Sequence, residues 1–235
     1  MSGPLTKGAL VAYPPTAGAP NPIVTAFQFN PEKMVHTWSQ EAPAGKPGVE
    51  AGNPMAVAGM PGETFQFRIL LDADDDVVGP QAQLAQAAQD HGVSGRLAAL
   101  EMLLYPVASA RALVGTVSAA TSSSSGTAAR TWAVPNSIVP IVLFVWGPKR
   151  VVPVRITTLT ITETLYDAQL NPTHAEADIA LRVLTPAELF AARPDAGTPA
   201  ETAQVAYEQM LDRRRQWAAT DAANAPTSII GMLPQ

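Results

Sequence analysis

The sequence predicts a mainly β domain with accessory helices, and three stretches carry that expectation. The apolar run Ile141, Val142, Leu143, Phe144, Val145, Trp146 ends at Gly147-Pro148; such a run is too short to cross a bilayer and suits a buried strand. From Thr157 the chain alternates, with Thr157, Leu159, Ile161, Glu163 and Leu165 on one side and Thr158, Thr160, Thr162, Thr164 and Tyr166 on the other. β-Branched Ile and Thr favour an extended backbone, and a threonine row meets water without burying charge. The third stretch, AEADIALRVL, sets Ile179, Leu181 and Val183 against Asp178, Ala180 and Arg182. It pairs antiparallel with the second across the turn-forming Asn171-Pro172.

Taken in order, residues 1–22 are rich in Gly and Pro and read as a flexible N-terminal arm. Ile23–Asn30 alternates Ile23, Thr25, Phe27 and Phe29 against Val24, Ala26, Gln28 and Asn30, which places Phe27 and Phe29 in the core. Asn30-Pro31 stops that strand, because proline has no amide hydrogen and restricts the residue before it. A second extended element runs from Met34 through Trp38, and the Gly/Pro-rich interval 42–62 is a loop. Glu63–Leu71 then gives an apolar row, Phe65, Phe67, Ile69 and Leu71, opposite Gln66 and Arg68.

Asp72–Asp76 reads DADDD. Its carboxylates invite a cation site, but the calcium-loop pattern needs Gly at position six, where Val77 stands, and no Glu completes it. A solvated strand-to-helix connection is the better reading. A helical insertion at 80–105 follows: a short polar helix over Gln81–Gln89 containing Leu84, an interruption at Gly92, and a second helix capped by Ser94. Leu97, Leu100 and Leu104, reinforced by Leu103, form its apolar stripe until Tyr105-Pro106. Residues 115–130, with four consecutive serines, have nothing for a core and read as a flexible loop.

The β domain thus spans 23–184, and 185–235 is a C-terminal helical extension and tail. Thr185-Pro186-Ala187-Glu188 and Thr198-Pro199-Ala200-Glu201 each place Thr at the N-cap, Pro at the first helical position and Glu at the third. The first helix is short, ending before Pro194. The second runs through Trp217, where Tyr207, Met210, Leu211, Arg214 and Trp217 share a sector suited to docking on the body or on a neighbour.

Of 235 residues, 47% are hydrophobic and only 15% charged. Surface covered by neighbouring subunits explains that poverty of charge; Ala, Pro, Gly and Thr in exposed loops are the alternative. A formal charge of −5 argues against nucleic-acid binding, and Arg213-Arg214-Arg215 reads as a solvated or subunit-contacting helix face. The absence of cysteine excludes a disulfide scaffold, a thiolate nucleophile and a Cys-based metal site. His36, His91 and His174 lie in separate contexts and no GxSxG elbow occurs. No catalytic residue, cofactor or metal is therefore expected, and a hydrolase is the least favoured reading.

Several separated stretches together resemble a known family. FQFNPEKMVHTWS at 27–39, FQFRILLDADDD at 65–76, LAALEMLLYP at 97–106, IVLFVWG at 141–147 and VRITTLTITETLYDAQLNPTHAEADIALRVL at 154–184 are similar to tube-baseplate adaptor proteins of contractile injection systems and contractile phage tails. The resemblance covers roughly residues 8–191 and lies in the order of the landmarks. The LysM extension common in that family is not visible. The resemblance implies a tube-like antiparallel β-barrel or paired antiparallel sheets, closing as a homo-hexamer between the inner-tube protein and the spike or baseplate hub protein. A separate LysM-containing protein is a further candidate partner.

The residues that carry the resemblance are structural: Phe27, Phe29, Asn30 and Pro31 in the first motif, Phe144, Trp146 and Gly147 in the central strand, and Leu170, Asn171 and Pro172 in the later loop. Tyr207, Arg214 and Trp217 join them as interface candidates from the C-terminal helix. The expected role is a noncatalytic ring subunit. A cap-side terminator, an ordinary inner-tube subunit, or an isolated protein- or carbohydrate-binding β domain are the alternatives. With no signal-peptide pattern at the amino terminus, the expected place is the cytoplasm during assembly, then a retained or released particle, with no direct nucleic-acid or membrane contact.

Overall fold

A computed structural model of the chain describes residues 6–13, 22–40, 55, 57, 59–78, 82–106, 139–191 and 197–223. The loop expected at 115–130 lies outside the described residues, as do most of 42–62, the tail from 224 onward and much of the expected arm.

Seven strands form one antiparallel sheet: β1 (Ala9–Tyr13), β2 (Ile23–Ala26), β3 (Met34–Ser39), β4 (Gly62–Asp72), β5 (Ile141–Val145), β6 (Val151–Tyr166) and β7 (Pro172–Val183), in the spatial order β2-β1-β5-β6-β7-β4-β3. Five helices accompany it: α1 (Ala73–Val78), α2 (Ala82–His91), α3 (Ser94–Glu101), α4 (Pro186–Ala191) and α5 (Pro199–Ala223). The mainly β fold with accessory helices is therefore what the chain forms. The sheet is not closed into a barrel: among the described residues β2 pairs only with β1 and β3 only with β4.

The inward row of β4 packs on β5 although β6 and β7 lie between them in the sheet. Phe65 and Phe67 put their ring centroids 5.3 Å and 5.4 Å from that of Phe144, and Phe27 adds a fourth ring 5.5 Å from Phe67. On a flat sheet three strand spacings would separate β4 from β5 by about 14 Å. The sheet must therefore curl until its two halves face one another, with the phenylalanines, Leu10, Val152, Val154, Ile179 and Leu181 buried between. Leu143 points the opposite way and is covered by Leu189 of α4 and Ala203 and Ala206 of α5.

β6 changes its inward parity partway along. Val152, Val154 and Ile156 face the core, and then Leu159 and Ile161 do, because the register steps from Ile156 opposite Leu181 to Thr158 opposite Ala180. Thr157 is the extra residue of a bulge, and its hydroxyl donates to the Ala180 carbonyl at 3.1 Å. It thus stands outside the apolar row in which the alternation placed it.

Four further expectations are corrected. Ala9–Tyr13, assigned to the arm, is strand β1, seated between β2 and β5. Its ALVAY run has the apolar content of a strand; the flanking Gly and Pro obscured it. The strand expected over Ile23–Asn30 ends at Ala26. There the chain turns so that Gln28 donates to and accepts from the Asp72 backbone, at 2.7 Å and 2.8 Å; parity is lost, and Phe29 is 40% exposed instead of buried. Ser94 is the first residue of α3 and makes no side-chain cap bond. The aspartate run is largely helical, with Asp72 accepting from the Asp74 amide at 2.9 Å and Asp76 paired with Arg96.

The turn between α2 and α3 locks the helical insertion to the sheet. Gly92 has φ +58, and a Cβ there would stand 2.1 Å from the Pro172 carbonyl oxygen, which accepts from the Val93 amide at 2.8 Å. Only glycine meets both demands. Replacing Gly92 with Ala should cost above about 2 kcal/mol from backbone conformation and overlap, read as a lowered denaturant midpoint with unchanged m-value.

Both Thr-Pro-Ala-Glu segments start helices as expected. Glu188 accepts from the Thr185 amide at 2.9 Å, and the Glu188 amide donates back to the Thr185 hydroxyl at 3.4 Å. Arg182 donates to both oxygens of Glu188, and this pairing, with the Thr185 amide and hydroxyl, holds the carboxyl at about 2. A depressed folded value means that the contribution is complete above the ordinary range near 4.5 and is lost as pH falls through 2. Glu188→Gln should lower Tm by about 2–4 °C at neutral pH, as a loss near 1 kcal/mol implies. The gap from the parent protein should narrow steadily once pH drops below about 4.5.

Candidate assembly interface

The residues singled out in the sequence divide into interior and surface groups. Phe27 and Phe144 are central to the buried ring cluster, and Trp146 stacks on Phe144 at 6.1 Å. Asn30 ties the chain after β2 back to the segment before β1, accepting from the Gly8 amide at 2.8 Å and donating to the Thr6 carbonyl at 2.9 Å. Pro31 is partly buried beside Glu32, Lys33, Arg68 and Leu70. Gly147 takes φ +72 in the β5–β6 turn, and Pro172 is buried beneath the α2–α3 turn. Phe29, Leu170 and Trp217 lie on the surface.

Tyr207 and Arg214 dock on the chain's own body. Tyr207 packs between the two apolar clusters, where burial, then the nearby Glu63 carboxylate, pushes its phenol above the ordinary range. Arg214 forks onto Glu63, with Nη1 2.9 Å from Oε2 and Nη2 on Oε1. His36 Nε2 meets the same carboxylate at 2.7 Å, and the guanidinium lies 4.5 Å over the ring of Trp38. Glu63 is only 4% exposed, and a carboxylate so buried needs such partners in place of water. Glu63 was read merely as the first residue of a strand; nothing local in sequence marks it, because its partner sits 151 positions away.

This clamp fixes the second half of α5 across the β3–β4 edge. Removing Arg214 leaves a buried carboxylate short of its bidentate partner. Arg214→Ala should cost about 3 kcal/mol and speed hydrogen exchange over Tyr207–Trp217 more than in β6. Uniform exchange in the variant would rule out this clamp.

Four stretches of backbone edge carry no ladder partner among the described residues. They are the outer sides of β2 and β3, the part of β4 beyond Phe67, since β3 reaches only Gly62–Phe67, and the part of β6 beyond Val154, since β5 reaches only Val151–Val154. The β6 stretch is the longest, and its outward row is Thr158, Thr160, Thr162 and Thr164, opposite Ala180, Asp178, Glu176 and His174. Arg68 forks onto Asp178 and reaches Glu176, which neutralises much of the acid on this face. β6 carries only Arg155 and Glu163 as charges, and the long edge has no lysine; charges and lysines are the usual guards of an edge strand.

The β6–β7 turn holds a second surface that sequence reading caught only in part. Asp167 accepts from the Gln169 amide, the Asn171 amide and Asn171 Nδ2 at 2.8, 2.8 and 2.9 Å. Leu165, Tyr166 and Leu170 are turned out to solvent around it. Leu170 was singled out; Leu165 and Tyr166 were assigned to the strand rows, and a leucine beside an Asp-centred turn was the signal available.

Among the described residues no group of three His, Cys, Asp or Glu is placed to hold a metal ion, and no helix is long and apolar enough to cross a membrane. His91 is exposed, and His174 lies 3.6 Å from Asp72. No protein-family model matches the chain, and no curated protein matches it.

Proposed function

We propose that this chain is a noncatalytic ring subunit that joins the inner tube of a contractile injection system to its spike or baseplate hub. The observation that carries the reading is the unclosed sheet, with a β6 edge that no strand among the described residues pairs. A curled sheet that stops short of closing satisfies its remaining backbone groups by pairing with the next copy, and repetition of one heterologous contact around an axis generates a ring. The low charged fraction and the resemblance of the ordered motifs support the same reading. An inner-tube subunit repeated along the particle is the second reading, favoured by the unlike charge at the two ends of β6.

Native mass measurement and negative-stain imaging of the full chain test the annulus directly, and a closed ring of fixed copy number is expected. Thr160→Lys with Thr162→Lys places two charges along the free edge while leaving the core untouched. The stability of the monomer itself should change by less than about 0.5 kcal/mol, and the rings should dissociate to monomers. A parent protein that stays monomeric at high concentration, or rings that survive both lysines, would reject edge closure. Mixing rings with purified tube and hub proteins separates the adaptor from the repeated tube subunit: an adaptor joins one particle end, a tube subunit the whole length.

A further inference from the structure

We infer that β3 of one copy is the strand that pairs along the β6 edge of the next. This names the mate of the contact proposed above and rests on that reading.

A contact repeated in one direction around a ring uses two different edges of every copy. β6 has 16 residues and β5 faces only Val151–Val154, which leaves 12 with no ladder partner on that side among the described residues. Of the other unpaired edges, two are poorly placed to meet it. β2 offers four residues, beside a cavity that α2 and α3 wall. The β4 stretch beyond Phe67 is flanked by residues 30–33 across a small pocket with Arg68 and Leu70, and Asp72 gives both its backbone groups to Gln28. β3 presents all six of its residues in unbroken register with β4, and no lysine, proline or bulge guards them.

The two strands are short of cover on the same face. Met34, His36 and Trp38 stand opposite Phe67, Phe65 and Glu63 and so belong to the core face, yet Trp38 is 46% exposed. Leu159 and Ile161, on the core face of β6, are only partly buried. Side by side, these residues cover one another. The outward rows, Val35, Thr37 and Ser39 against Thr162, Thr160 and Thr158, then meet as β-branched and hydroxyl pairs.

The register follows from where β6 is regular. Thr157 is the bulged residue and Leu165 has φ 54, so the extended stretch between them is 158–164. Every pairing in this sheet is antiparallel, and a six-residue antiparallel strand fits that stretch in two ways. Only one sets core face beside core face: Met34 opposite Glu163, His36 opposite Ile161, Trp38 opposite Leu159 and, between the last two, Thr37 opposite Thr160.

The chain has no cysteine, so introduced thiols report the contact without background. Thr37→Cys co-expressed with Thr160→Cys and oxidised should give covalent dimers that neither variant gives alone. Moving the first thiol to Val35 or Ser39 should lower the yield, and Val24→Cys in β2 with Thr160→Cys should give none. Thr37→Lys places a charge on the proposed edge: the monomer's Tm should move by less than about 2 °C, and the concentration for half assembly should rise at least about tenfold. Rings that yield no dimer at any of the three β3 positions, that link through Val24 instead, or that assemble unchanged with Thr37→Lys overturn the assignment of β3 and leave the annular reading standing. A parent protein that stays monomeric overturns both.

Discussion

The stacking of Phe65 and Phe67 against Phe144 is the contact on which the rest of the architecture depends. It draws β4 onto β5 across two intervening strands, and a sheet can do this only by curling. Once curled, the sheet has an inside, and the alternation of β4, β6 and β7 sorts apolar residues into it. The same curl decides what remains outside. Its halves are held together by rings and not by a hydrogen-bonded seam, so β2 and β3 keep outward edges that the chain does not pair among its described residues. Burial is complete before backbone pairing is, and the fold is thereby left able to pair with something else.

The helices finish the domain from both sides of the sheet. α2 and α3 add Val93, Leu97 and Leu100 to the core and are fixed to β7 through the Val93–Pro172 bond. α5 starts on the reverse face, over Leu143, and sends Met210 into the main core. Its anchorage then changes from apolar packing to the fork on Glu63. That change is chemically sensible at the rim of a sheet, where strand ends offer polar backbone and little apolar area. Trp38, half-exposed, supplies a ring for Arg214 instead of a core contact.

Much of this fold was legible because strong periodicity survives in β4, β6 and β7, and because Thr-Pro-Ala-Glu announces a helix start by itself. What escaped was decided by partners distant in the chain. Phe29 continues the parity of Phe27, yet Gln28 is pulled to Asp72, 44 positions away, and the strand ends. Thr157 fits the alternation, yet a bulge removes it from the row. The candidate surfaces were legible only in part: Leu170 stood out by resemblance, whereas the β6 edge, unpaired among the described residues, is a relation between strand lengths, visible only once β5 is seen to stop short.

The β6–β7 ladder shows how these parts constrain one another. Arg155 lies directly opposite Arg182, and like charges facing across an antiparallel pair repel. Glu188, the third helical residue of α4, answers that repulsion by accepting both Nη groups of Arg182 while also capping its own helix. Arg155 is left without an ion-pair partner among the described residues and adds to the positive end of β6. A local capping device thus steadies the sheet and leaves the strand electrically uneven along its length. The unevenness, with Arg155 toward one end and Glu163 toward the other, follows the axis of β6.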